Sequence, residues 1–255
     1  VRERVLVALI GIPLVLAAVC APRQHVFLPL LIVAGAICFQ ESYFLRQARP
    51  PIQIPPVMFG GLATLLLSAP VLTYGVPFVS AYAILFALFA IAAASWPKSP
   101  HSLWPVLGLV PLAALQPLPM REQFGPSYVL MAMIPLWVGD SAAYFVGKAF
   151  GKHKLAPNIS PNKTWEGAIA NLLGCLLGAW MVGEWLKIPL GVSLLCGTVS
   201  GILGQAGDLF ESSLKRRAGV KDSGNLLPGH GGLLDRLDSL IATAPFVTLI
   251  LLLAR

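Results

Sequence analysis

Long apolar runs separated by short polar joints dominate this chain. A helix that crosses a bilayer needs about 20 mostly apolar residues. Nine stretches qualify: 5–21, 26–45, 57–74, 77–96, 103–118, 128–147, 166–186, 189–207 and 237–254. They are unbroken rather than alternating, which favours helices over the period-two strands of a lipid-facing barrel. Pro105, Pro111 and Pro117 make the fifth the weakest, so the count of about nine leaves room for eight or ten. The pattern predicts an all-α, polytopic integral membrane bundle forming a single domain, 1–255, with no long soluble insertion. Gly174/Gly178 and Gly197/Gly201 have the spacing that lets helices approach closely. Trp96, Trp104, Trp165 and Trp185 fall near span ends, where interfacial aromatics gather.

Composition agrees. The chain is 56% hydrophobic and 11% charged, with a mean hydropathy of +0.77; a soluble domain carries about 25% charged residues. Charge placement predicts orientation. With a cytoplasmic N-terminus and nine spans, fourteen of the 18 Lys and Arg fall on the cytoplasmic side. Only Arg23, Arg121, Lys187 and Arg255 fall outside, as the positive-inside rule favours. Part of the net charge of +7 is this bias; the rest can attract anionic lipid or an anionic substrate. No soluble basic domain exists to hold nucleic acid. Pro22, after Val19-Cys20-Ala21, disfavours signal cleavage, so the first helix is expected to be retained. Cys20, Cys38, Cys175 and Cys196 lie in or beside apolar spans without paired spacing, and read as packing residues. His25, His101, His153 and His230 show no zinc-ligand spacing.

Two polar regions interrupt the pattern, 140–167 and 207–239. In the second, Asp208, Glu211, Ser212 and Lys215 share one face of a helix continuing from the eighth span. Asp235, Asp238 and Ser239 share a face of the helix that opens the ninth. Carboxylates at a membrane boundary are costly and usually have partners, and they are hard oxygen ligands suited to Mg²⁺. Between them, Pro228-Gly229-His230-Gly231-Gly232 is glycine-rich enough for backbone N–H groups to close on phosphate oxygens. With Lys215, Arg216, Arg217, Lys221 and Arg236 nearby in sequence, the region predicts phosphate chemistry assisted by a metal. In the first region, Asp140 and Tyr144 lie inside the sixth span and share a helix face with Lys148. Thr164 can cap the seventh helix, with Glu166 suited to its first turn. Gly147…Gly151-Lys152 lacks the spacing of a P-loop, and His153 replaces its Ser/Thr.

Ser212-Ser213-Leu214-Lys215-Arg216, Lys221-Asp222, Pro228-Gly229-His230-Gly231-Gly232 and Asp235-Arg236-Leu237-Asp238 together resemble the signature of the phosphatidate cytidylyltransferase, or CDP-diacylglycerol synthase, family. The resemblance extends to Gly204–Asp208 and Ser160–Gly167, so the part 128–255 carries the site; the N-terminal half matches only in apolar character. Asn225 stands where His is expected in close relatives. The resemblance implies transfer of a cytidylyl group from CTP to phosphatidic acid, giving CDP-diacylglycerol and pyrophosphate. It also implies Mg²⁺, with a second, monovalent cation such as K⁺, and a homodimer. On this reading Asp208, Asp235 and Asp238 are metal ligands and, with Lys215, the catalytic set. Ser212, Arg216, Lys221, Asp222, His230 and Arg236 contact substrate, with Asp140 and Lys163 as partners from the first region. The site would open at the cytoplasmic face of a bacterial-type inner membrane. The rival readings are another CTP-dependent lipid enzyme, such as a polyprenol kinase or an ether-lipid cytidylyltransferase, and an ion-coupled transporter.

Overall fold

The computed structural model describes residues 9, 11, 13–19, 24–47, 124–226 and 231–254. The predicted spans 57–74, 77–96 and 103–118, and most of 5–21, lie outside the described residues. The chain divides into two compact units: Val1–Pro119 with Arg217–Arg236, and Met120–Arg216 with Leu237–Arg255.

In the first unit, helix α1 runs Gln24–Gln47, against an expected span of 26–45. Residues 13–19 are also helical. The segment 217–226 and the stretch from Gly231 complete what is described.

The second unit is built on four helices: α2 (Leu130–Phe150), α3 (Trp165–Leu186), α4 (Leu190–Arg217) and α5 (Leu234–Leu253, whose first three residues belong to the first unit). A 3₁₀ turn, Pro126–Val129, leads into α2. Among the described residues these four helices are long and apolar enough to cross a membrane. They match the expected spans 128–147, 166–186, 189–207 and 237–254 within a few residues, except that α4 runs on to Arg217. At 28 residues, α4 is about 42 Å long, against a hydrocarbon core of about 30 Å. It continues through Asp208 to Lys215 as one helix, as the spacing of those residues predicts.

Glycines set the helix contacts. A Cβ on Gly174 would lie 2.9 Å from the Gly139 Cα and from the Val138 carbonyl oxygen, and one on Gly178 would lie 2.9 Å from the Pro135 Cα. Gly197 and Gly201 of α4 press similarly on Leu176 and Leu172 of α3. Both predicted small-residue pairs thus lie where backbones touch. Outside these seams the surface is apolar: Ile169, Leu173, Met181 and Trp185 of α3 are all more than half exposed. Such a surface would be a liability in water and is ordinary against lipid. Trp165 and Trp185 stand at the two ends of α3, as expected of interfacial aromatics.

The all-α expectation needs one correction. Lys154–Ala156 (β1) and Ser160–Thr164 (β2) form an antiparallel hairpin between α2 and α3, pairing Lys154 with Thr164 and Ala156 with Ser160. Eight strand residues, mostly polar, present no apolar alternation to read. The hairpin is held from outside: the Glu166 carboxylate accepts the Lys152 and His153 backbone N–H groups at 3.2 and 3.3 Å and sits 2.7 Å from His153 Nδ1.

Candidate functional site

The second unit gathers much of the predicted chemistry around α4. Thr164 ends the hairpin and caps α3, its Oγ1 accepting the Gly167 N–H at 3.2 Å. That cap fixes the neighbouring Lys163, whose ammonium lies 2.6 Å from Asp208 Oδ2. The Ser212 hydroxyl, one turn further along α4, donates to Asp208 Oδ1 at 3.3 Å. Glu211 and Lys215 form an i,i+4 pair at 2.5 Å, both under 10% exposed. The shared face expected for Asp208, Glu211, Ser212 and Lys215 is therefore present. Its members pair along the helix, and Asp208 reaches a lysine brought by the first polar region.

Asp238 faces this cluster from α5. Gly207 makes the approach possible: a Cβ there would stand 3.0 Å from the Asp238 carbonyl oxygen. The Ser239 hydroxyl donates to the Gly204 carbonyl at 3.1 Å, pinning the same contact. Asp238 and Asp208 are close enough to interact electrostatically, and Lys215 and Lys163 act on Asp238 with the opposite sign. Arg216 donates through Nε to the Ile159 carbonyl at 3.1 Å, tying the end of α4 to the hairpin turn.

Asp140 lies elsewhere on α2. It is exposed and accepts from Asn171 Nδ2 at 3.1 Å. Tyr144 and Lys148 continue its face, with the Lys148 ammonium 5.7 Å from the Tyr144 ring centre.

The first unit holds the other half of the signature. Asp235 Oδ2 accepts two backbone N–H groups, from Ser223 at 2.9 Å and Gly232 at 2.8 Å. It thereby ties the segment after Asp222 to the segment before α5. Gly231 has φ +82°, and a Cβ there would lie 2.6 Å from Asp235 Oδ2 and 3.2 Å from the Asp222 Cβ. Only glycine meets both demands. Lys221, Asp222 and Arg236 are exposed. Pro228, Gly229 and His230 lie outside the described residues.

One residue of this unit escaped sequence reasoning. Glu41, near the C-terminal end of α1, is 6% exposed, and its carboxylate accepts the Leu233 and Leu234 backbone N–H groups and the Ser223 hydroxyl. The available signal was a lone carboxylate ending an apolar run, which is costly without partners.

Oxygen donors of this kind suit a hard cation. Among the described residues, no group of three or more His, Cys, Asp and Glu is assembled to hold a metal. Magnesium does not require one: it keeps several waters and is usually bound by one or two carboxylates plus substrate phosphates. Asp208 and Asp238, with a lysine ammonium already drawn to Asp208, fit that mode.

The model of the "Cytidylyltransferase family" matches residues 2–254. Among curated proteins, the phosphatidate cytidylyltransferase of Bacillus subtilis (strain 168) is 48% identical over 134 residues, 52% of this chain and 50% of the relative. That of Brucella suis biovar 1 is 45% identical over 152 residues, 57% of this chain and 56% of the relative. That of Staphylococcus aureus (strain COL) is 45% identical over 130 residues, half of each. The chain thus spans about half the length of the curated relatives it matches.

Proposed function

The chain belongs to the cytidylyltransferase family, and we propose on that premise that this integral membrane protein transfers a cytidylyl group from CTP to phosphatidic acid, releasing pyrophosphate and forming CDP-diacylglycerol. The observation that carries the reading is the family match over 2–254, backed by relatives named for this activity. The polar ends of α4 and α5 are its chemical counterpart. The whole chain acts as one membrane-embedded domain of about nine spans, with the N-terminus and the signature region at the cytoplasmic face of the inner membrane. CTP arrives from that side, and the lipid phosphate lies at the same depth.

The nucleophile is an oxygen of the lipid phosphomonoester, whose second pKa of about 6 leaves it largely ionised at neutral pH. No dedicated general base is needed. What the protein must supply is positioning and charge. Lys163, Arg216, Lys221 and Arg236 hold phosphate oxygens of the two substrates, with Lys215 completing the basic set. Ser212 orients Asp208, and Asp222 and His230 shape the loop that closes on phosphate. Asp140 supports the substrate side from α2. Asp208, Asp235 and Asp238 are the carboxylates assigned to Mg²⁺, which when bound neutralises triphosphate oxygens. A monovalent cation such as K⁺ and a homodimeric state complete the proposal.

Purified protein incubated with labelled CTP and phosphatidic acid, with and without Mg²⁺, tests the reading. Labelled CDP-diacylglycerol that requires Mg²⁺ is the expected product. Product formed only with a polyprenol or ether-lipid acceptor, or none with any acceptor, would overturn it.

A further inference from the structure

Glu41 has no part in the chemistry above, yet it is among the most enclosed acids in the described structure. Its Oε2 accepts the Leu234 N–H at 2.7 Å and the Ser223 hydroxyl at 3.0 Å, and its Oε1 accepts the Leu233 N–H at 3.0 Å. Those partners lie 182 to 193 residues away in sequence. Leu234 opens α5, so the carboxylate caps that helix from outside and meets the positive end of its dipole. Space for it is made by two glycines of the signature segment. A Cβ on Gly224 would lie 2.7 Å from Glu41 Oε1, and one on Gly232 would lie 2.5 Å from Oε2. No side chain fits at either position while the carboxylate is there.

The same two strands of chain, at Ser223 and at Gly232, are the ones Asp235 joins through its own Oδ2. One carboxylate holds the segment from within; the other holds it from α1. We propose that Glu41 is a positioning residue that holds Ser223 against Leu233 and Leu234 in their working arrangement, and so sets where Asp235 presents itself to the nucleotide. It does not itself touch substrate. The inference rests on the cytidylyl-transfer reading for its kinetic consequence, but its structural core does not.

Glu41→Gln tests it. The amide keeps the volume and one acceptor oxygen but turns an N–H donor toward partners that are themselves donors. In detergent-purified protein, kcat/KM for CTP should fall about 10- to 100-fold, the range seen when groups orienting a ligand shell are lost. Hydrogen exchange in peptides covering 231–236 should speed up, while peptides from α3 keep their protection. Ser223→Ala, which removes one of the three bonds, should give a smaller loss of the same kind. A purely structural role would lower the melting midpoint and the active fraction, with KM and local exchange in the surviving protein unchanged. That result, or wild-type exchange at 231–236, overturns the proposal. If the wild-type protein transfers no cytidylyl group, the functional reading fails, and the exchange arm still decides the role of Glu41.

Discussion

Replacing Asp235 separates two jobs that its carboxylate could do. Oδ2 accepts two backbone N–H groups, at 2.9 and 2.8 Å. Asp235→Ala strands both. A fully buried unmade N–H costs about 1–3 kcal/mol; both bonds to Asp235 are only partly buried, so about 1 kcal/mol each is appropriate, together about 2 kcal/mol. For a chain of this size that lowers the melting midpoint by about 4–8 °C. Asp235→Asn keeps one oxygen that can accept both N–H groups and removes only the charge. Its melting midpoint should stay within about 2 °C of wild type, while kcat for cytidylyl transfer falls about 10²- to 10³-fold if the charge serves the reaction. The assay is turnover of CTP and phosphatidic acid alongside thermal unfolding, all in one detergent. Near-wild-type turnover in Asp235→Asn would refute the catalytic assignment and leave Asp235 as a loop clip. A destabilisation of Asp235→Asn equal to that of Asp235→Ala would refute the hydrogen-bond argument.

Other perturbations follow from single contacts. Gly174→Leu drives a side chain into the Gly139 backbone at 2.9 Å; overpacking of this kind costs about 1–3 kcal/mol or more, visible as a lower melting midpoint or lost expression. Lys163→Met removes the 2.6 Å pair with Asp208; because both side chains are partly exposed, stability should change by less than about 1 kcal/mol, but KM for CTP should rise about tenfold, and an unchanged KM would remove Lys163 from the phosphate-binding set. Glu166→Ala frees the Lys152 and His153 N–H groups, and should show as faster tryptic cleavage after Lys154 and Lys163 with α3 still intact.

What could be read from the chain depends on how local its determinants are. The helices of the second unit were legible because about 20 apolar residues in a row have one economical use. The pairs Asp208–Ser212 and Glu211–Lys215 were legible because i,i+4 spacing is written in the sequence. The hairpin 154–164 was not, because its short, mostly polar strands carry no alternation, and the carboxylate that bonds the chain just before it, Glu166, lies just after it. The bond between Lys163 and Asp208 joins two polar regions 45 positions apart, and only close contact among α2, α3 and α4 makes it possible. Glu41 is the extreme case: a carboxylate in α1 whose donors lie near the other end of the chain carries no local signature of what it holds.

The pair Glu211–Lys215 offers the sharpest discrimination between a residue that acts and one that merely neutralises. Both are under 10% exposed, 2.5 Å apart on α4. Breaking a buried pair from one side costs about 3–5 kcal/mol, because the other charge remains, whereas removing both charges is often near neutral. Lys215→Met alone should therefore lower stability severely, and Glu211→Gln/Lys215→Met should restore most of it. Activity need not follow stability. If the Lys215 ammonium also holds a phosphate oxygen, the double variant will be folded, with a wild-type-like melting midpoint, and still at least about tenfold slower in cytidylyl transfer. If instead the double variant regains full turnover, the lysine serves only to make the buried carboxylate tolerable, and the basic set that contacts substrate reduces to Lys163, Arg216, Lys221 and Arg236.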